Sequence, residues 1–383
     1  MKMNKRDAQI IAVGLACFVF AGITGAFFRW GMTGGWIMGL DMANIRHAHS
    51  HLMYFSWVTP ALMVLLIPED KWTQWAAASG IVLGIVAYPL FILFGYEAGT
   101  FGPLTIPPAV VVSGLVMITW YVFTWRWVAT KRFHSLLTAA VTFLVLSSCG
   151  AWAISATIPL GLVDPVWIET FKHVFLSYFT EGWLTLGTVV LLMNQSKQKL
   201  SETPNWILIF LVLGISLSYF LAMPEQLVPE TAKWATRLGS AFTGVGLAWL
   251  TRKMWQGLTG WWKVPASALA LKSFSLVFLA PNPSFWWAAQ HNDRILFLHL
   301  ILLGLVSTAI LLTVLPKEEQ GRWFYISVVL LLIGLLPVTS VWILPSLGMF
   351  WLSWIGPLSL LPAVVAVPLV IKLWKYQPGE EPI

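Results

Sequence analysis

The sequence predicts an all-α, polytopic membrane protein with twelve transmembrane helices. Three observations carry that prediction. Hydrophobic residues make up 58% of the 383 residues and charged residues only 10%, whereas a soluble chain needs about 25% charged residues to wet its surface. The apolar residues gather in runs of about twenty, the length that crosses ~30 Å of hydrocarbon as a helix. Short polar breaks separate the runs: Pro68-Glu69-Asp70-Lys71, Asn194 to Asn205, Pro224-Glu225 and Pro316 to Arg322. Together these exclude a soluble enzyme, a disordered chain and a nucleic-acid module.

In chain order the runs lie at 8–30, 46–67, 73–95, 104–128, 135–161, 168–193, 205–223, 234–251, 264–280, 294–315, 323–344 and 355–376. The polar start, Met1 to Asp7, leads into an apolar run with no small-residue cleavage site, so that run reads as a span and not a removable signal. No polar stretch is long enough to fold separately, and residues 1–383 read as one membrane domain. Most of the 23 lysines and arginines fall on one side, among them Lys2, Lys5, Arg6, Lys131, Arg132, Lys197, Lys199, Arg252, Lys253, Lys372 and Lys375. The other side holds Arg29, Arg46, Lys172, Lys233, Arg237 and Arg294. This excess places both termini in the cytoplasm of a bacterial inner membrane, and it accounts for the net charge of +7 as orientation. Many of the 24 tryptophans stand near run ends, such as Trp261-Trp262 and Trp286-Trp287, where they anchor to lipid. Cys17 and Cys149 lie inside apolar runs, which points away from a disulfide framework or a cysteine-based metal site.

The histidines are the most informative residues. His134 follows Lys131-Arg132 in a basic loop and reads as solvated. The other six stand at the outer ends of their spans: His47, His49 and His51 open the second, His173 opens the sixth, and His291 and His299 flank the start of the tenth. Any one of them can serve as a helix cap or a partner for a carbonyl. Several at one depth, on different spans, point to at least one metal or heme site, since a neutral imidazole ligates iron or copper. His47 and His51 are four apart and share a face, while His49 points roughly opposite. A heme held by two imidazoles needs one from each of two helices, and His49 and His299 suit that demand. Arg46, almost one turn outward from His49, and Arg294 suit the heme propionates, with Arg29 a further candidate; ordinary loop charge is the other reading of Arg46. His291 precedes His299 by eight residues, about 12 Å along a helix, too far to share its iron. Glu181 and Lys272 lie within the sixth and ninth spans. Either they pass protons or stabilise a cation, or they form a buried ion pair.

Ile45-Arg46-His47-Ala48-His49-Ser50-His51-Leu52-Met53-Tyr54-Phe55 resembles the second helix of the heme–copper oxidase subunit I superfamily, closest to its C-type branch. There an arginine precedes, by three residues, the histidine of the low-spin heme. Phe171-Lys172-His173-Val174-Phe175-Leu176-Ser177-Tyr178-Phe179-Thr180 is similar to the sixth helix, whose leading histidine ligates the active-site copper. Phe297-Leu298-His299-Leu300-Ile301-Leu302-Leu303-Gly304 is similar to the tenth, where a His-x-His pair binds two hemes. The chain departs from the family at the dinuclear centre. Trp234 to Trp255 has no adjacent His-His pair, Phe297 replaces the first histidine of the tenth-helix pair, and Ser177 stands four residues after His173. The resemblance therefore implies an oxidase subunit I-like bundle with one low-spin, bis-His heme b on His49 and His299. A copper or second iron would need a site built from His173, with His47, His51 and His291. The function implied is one-electron transfer in a respiratory or redox complex, with a quinol or cytochrome as donor and further membrane subunits as partners. Two readings stay beside it: a reductase of oxygen or nitric oxide with a non-standard metal site at His173, Glu181 being the other candidate catalytic residue, and a heme or copper sensor or carrier without turnover.

Overall fold

The computed structural model describes residues 3–376 except 33, 35–37, 98, 102–103, 132–133, 158–159, 163, 199–202, 283–285, 287–290, 316–317 and 340–344. Within them, apolar runs become helices: α1 (Lys5–Met32), α2 (Met42–Leu52), α3 (Thr59–Leu66) and α4 (Lys71–Phe94). One antiparallel hairpin follows, β1 (Gly99–Phe101) with β2 (Leu104–Ile106). Helices then resume as α5 (Pro108–Thr130), α6 (Ser135–Thr157), α7 (Pro165–Ser177), α8 (Thr185–Gln195), α9 (Asn205–Ser218), α10 (Glu230–Trp255), α11 (Lys263–Phe274), α12 (His291–His299), α13 (Thr308–Val314), α14 (Arg322–Thr339) and α15 (Pro345–Trp374).

Among the described residues, eight helices are long and apolar enough to cross a membrane: Lys5–Met32, Lys71–Phe94, Pro108–Thr130, Ser135–Thr157, Pro165–Gln195, Asn205–Ala222, Arg294–Val314 and Trp354–Trp374. The chain is a multi-pass helical membrane protein. The other four apolar runs also coincide with helices, at 42–66, 230–255, 263–279 and 322–339, but these are shorter or more polar. Helix 42–66 opens on Arg46 and three histidines, and α10 carries charge at both ends.

Among the described residues, four helices contain a π-helical segment: Met53–Val58 between α2 and α3, Tyr178–Leu184 between α7 and α8, Ser275–Leu279 after α11, and Leu300–Ser307 between α12 and α13. A π turn widens the helix, so some backbone groups need other partners. Threonine supplies them at two of the four exits. Thr185 donates its hydroxyl to the Thr180 carbonyl, and Thr308 donates to Leu303, both at 2.8 Å and five residues back.

The chain forms two compact units, Met1–Ala129 with Ile310–Ile383, and Thr130–Ala309. In the first, α1 packs along α15 and against α2, while α4 covers α2 and α3. Aspartates start two of its helices: Asp41 accepts from the Asn44 N–H and Asp70 from the Thr73 N–H, both at 2.9 Å. Asp70 also pairs with Arg126. Partial burial pulls the Asp70 carboxyl upward, but the bonds from Thr73 and Arg126 outweigh it and hold the group below its ordinary value. In the second unit, Asp164 caps α7 through the Val166 N–H, with Pro165 at the first helical position. Here α9 lies on α10, α6 on α7, and α10 on α11. His134, at the entry to α6, is half-buried where the sequence suggested full solvation, and burial pushes its imidazole below the ordinary value.

Candidate functional site

In the first unit, His49 donates its Nδ1–H to the Ala21 carbonyl of α1 at 2.7 Å. A carbonyl only accepts, so the proton sits on Nδ1 and Nε2 keeps the lone pair a metal would use. Gly25, one turn beyond Ala21, makes room for the ring. A Cβ there would stand 2.8 Å from His49 Cε1 and 3.0 Å from Nδ1. Arg29 is a further turn along the same face and is buried at 6% exposure. Its recorded partner is Met32 Sδ at 3.7 Å, and no carboxylate pairs with it among the described residues. Its charge acts on His49. A carbonyl, a gap and a guanidinium thus stand at four-residue spacing along α1, facing one imidazole. Arg46, favoured by the sequence for this role, is exposed.

His51 is held differently. Its Nδ1–H donates to the His47 carbonyl at 2.8 Å, and Tyr96 donates its hydroxyl to Nε2 at 3.2 Å. The ring lies on Phe91 at 3.9 Å between centroids. Both nitrogens are engaged inside the protein. His47 is half-buried with its ring edge on Tyr96, 4.6 Å between centroids.

In the second unit, His173 is 1% exposed and donates Nε2–H to Glu169 Oε2 at 3.1 Å. Glu169 also pairs with Lys172. The other ring nitrogen, Nδ1, is buried with no hydrogen-bond partner. Carboxylate backing of this kind orients an imidazole toward a metal, and Arg294 lies within electrostatic reach. His299 donates Nδ1–H to the Ile295 carbonyl, one turn back, at 2.8 Å. His291 begins α12, but its side chain lies outside the described residues. Among the described residues no group of three or more His, Cys, Asp or Glu side chains could hold a metal ion.

Glu181 and Lys272, 91 residues apart, form a buried ion pair. Lys272 is fully buried and its Nζ sits 4.4 Å from the centroid of the Phe297 ring. Phe297 therefore packs against an ammonium.

The π-helical segments gather on the helices that carry these groups. Met53 follows His51 by two residues, Glu181 lies inside its segment, Lys272 stands three before Ser275, and His299 directly precedes Leu300. Such segments are frequent at functional sites. Sequence reasoning missed them, as it missed Gly25. A small residue four after Ala21 on a helix next to a histidine helix was the only available signal. No protein-family model matches the chain, and the search of curated proteins finds no match either.

Proposed function

We propose that the protein is a twelve-span heme protein of the bacterial inner membrane, related to heme–copper oxidase subunit I, that binds one low-spin heme b and relays single electrons. The observation that carries the reading is the matched state of His49 and His299. Each donates Nδ1–H to a main-chain carbonyl within a membrane helix, so each offers Nε2 as the ligand nitrogen. Arg29, buried beside His49 and paired with no carboxylate among the described residues, supplies the charge that a heme propionate would neutralise. The donor set fits the group on both counts.

A heme held by two imidazoles exchanges one electron and has no open position for oxygen. The chain's own residues hold it and set its surroundings. His49 and His299 would ligate it, and Arg29, with Arg46 and Arg294 as outer candidates, would pair with the propionates. Phe297 has no ligating atom to offer a second iron. A quinol or a cytochrome is the donor class, and further membrane subunits complete the relay.

Purified protein is expected to yield about one heme b per chain, with a reduced spectrum that carbon monoxide leaves unchanged. A carbon-monoxide shift would mean an open iron. Copper in place of heme would favour a carrier without turnover. A second reading rests on His173. Its buried, unpartnered Nδ1, backed by Glu169, is the nitrogen a copper or iron centre for reducing oxygen or nitric oxide would require. That reading predicts metal bound in addition to heme and lost in His173→Ala.

A further inference from the structure

His47, His51 and Tyr96 form a cluster at the polar end of helix 42–66 that the heme reading leaves unused. His47 and His51 stand one turn apart on one face, with their rings 6.4 Å apart between centroids. Tyr96 closes the triangle, 4.6 Å from the His47 ring and 5.9 Å from the His51 ring. Local structure brings the three together. Ala48 and Ala87 are fully buried, which lets α2 and α4 approach closely. α4 ends at Gly95, whose φ of +56° turns the chain back toward α2. A Cβ at Gly95 would clash with Asn44 Oδ1, so a glycine is needed to deliver Tyr96 to this place.

We propose that His47, His51 and Tyr96 bind a divalent transition-metal ion of the zinc type, at a site separate from the heme and independent of it. His51 is already set as a ligand. Its Nδ1–H is taken by the His47 carbonyl, so Nε2 carries the lone pair, and carbonyl backing of this kind orients an imidazole toward a metal. Aromatic neighbours fix the ring: Phe91 lies on it and Phe55 meets it edge-on, at 3.9 and 5.1 Å between centroids. The Tyr96 oxygen faces that Nε2 at 3.2 Å, long for a hydroxyl donor. Two donors on a tetrahedral zinc ion, with bonds of about 2.0 Å, stand about 3.3 Å apart, so this spacing suits two ligands of one ion. His47 supplies the third donor from the neighbouring turn, and water fills the fourth position. As the ion binds, the Tyr96 phenol releases its proton to water, and the hydroxyl bond to Nε2 gives way to metal bonds from both atoms.

The cluster is open to an ion. Tyr96 is 50% exposed and His47 half-buried, while His51, at 9%, forms the floor. Two imidazoles and a phenol oxygen suit zinc or copper(II), whereas calcium and magnesium take oxygen ligands alone. Arg46 is the cation that acts on Tyr96, and it is exposed, so water and salt screen it. His49, two residues from each histidine, faces the Ala21 carbonyl of α1 and takes no part.

The test is titration of the full chain in lipid nanodiscs with Zn2+ alone, followed by calorimetry and by elemental analysis after gel filtration. The wild type is expected to bind an ion that His47→Ala loses, that Tyr96→Phe holds more weakly and that His173→Ala keeps. Binding should also raise a tyrosinate band in the ultraviolet difference spectrum, absent in Tyr96→Phe. If His47→Ala does not accumulate, the tyrosinate band of the wild type against Tyr96→Phe decides. A wild type that takes up no Zn2+, uptake unchanged in His47→Ala or lost in His173→Ala, or a spectrum without the tyrosinate band would overturn the site. None of these outcomes bears on the heme, whose spectrum is read separately.

Discussion

Helix 42–66 and helix Pro165–Gln195 each place histidine near one end with a π-helical segment close behind, yet they present opposite ring nitrogens. On the first, His49 gives Nδ1–H to a main-chain carbonyl, which leaves the lone pair on Nε2. On the second, His173 gives Nε2–H to Glu169, which leaves it on the buried Nδ1. The acceptor makes the difference. A main-chain carbonyl catches the near nitrogen, whereas a carboxylate one turn away reaches the far one. The same residue type therefore offers a metal two geometries, and only the Nε2 form is shared with His299. The two helices also differ in what keeps them in place. Helix 42–66 relies on neutral partners such as Ala21 and Tyr96, and Pro165–Gln195 relies on ionic ones, Glu169 with Lys172 and Glu181 with Lys272.

The ionic side of this contrast breaks most severely. Lys272→Met strands the Glu181 charge and should cost about 3–5 kcal/mol, read as a large drop in the thermal midpoint of the protein in detergent. The double variant with Glu181→Gln should recover most of that loss. A silent Lys272→Met would show that the pair does not hold the second unit together.

On the neutral side the sharpest probe is Gly25. Gly25→Ala puts a methyl 2.8 Å from His49 Cε1, and the ring cannot yield without leaving the Ala21 carbonyl. The overpacking should cost about 1–3 kcal/mol and lower heme content. Gly22→Ala is the control. Its methyl would meet the Ala363 Cβ at 2.7 Å, so stability should fall while heme content per folded chain stays normal.

The smallest effect belongs to the end of the first region farthest from its histidines. Asp70→Ala removes the cap of α4 and should cost about 1 kcal/mol. The Asp70 carboxyl is held below its ordinary value, so its contribution is complete above the unfolded carboxylate pKa and disappears as pH falls through the lowered one. Wild type and variant should therefore differ in thermal midpoint at neutral pH and converge in acid.

Much of the scaffold was legible because apolar length is a local property. Among the described residues each of the twelve runs contains a helix, and eight helices satisfy the length and apolarity needed to span. Features set by contacts distant in sequence were not legible. Glu181 and Lys272 were each visible, but their pairing joins residues 91 apart and needed the fold to bring it out. Arg46 stood out from its spacing to His49, yet it is exposed, and the buried guanidinium beside that histidine is Arg29 on another helix. The π-helical segments have no composition of their own, and no residue pattern marks them beyond a threonine at two of their ends.

The central proposal is that His49 and His299 are both heme ligands. Its most direct test is the reduced-minus-oxidised spectrum of His49→Ala, His299→Ala and His173→Ala beside the wild type. The account predicts that either of the first two loses the low-spin heme band and the third keeps it in full. A heme band that disappears with His173→Ala and persists in His49→Ala would contradict it.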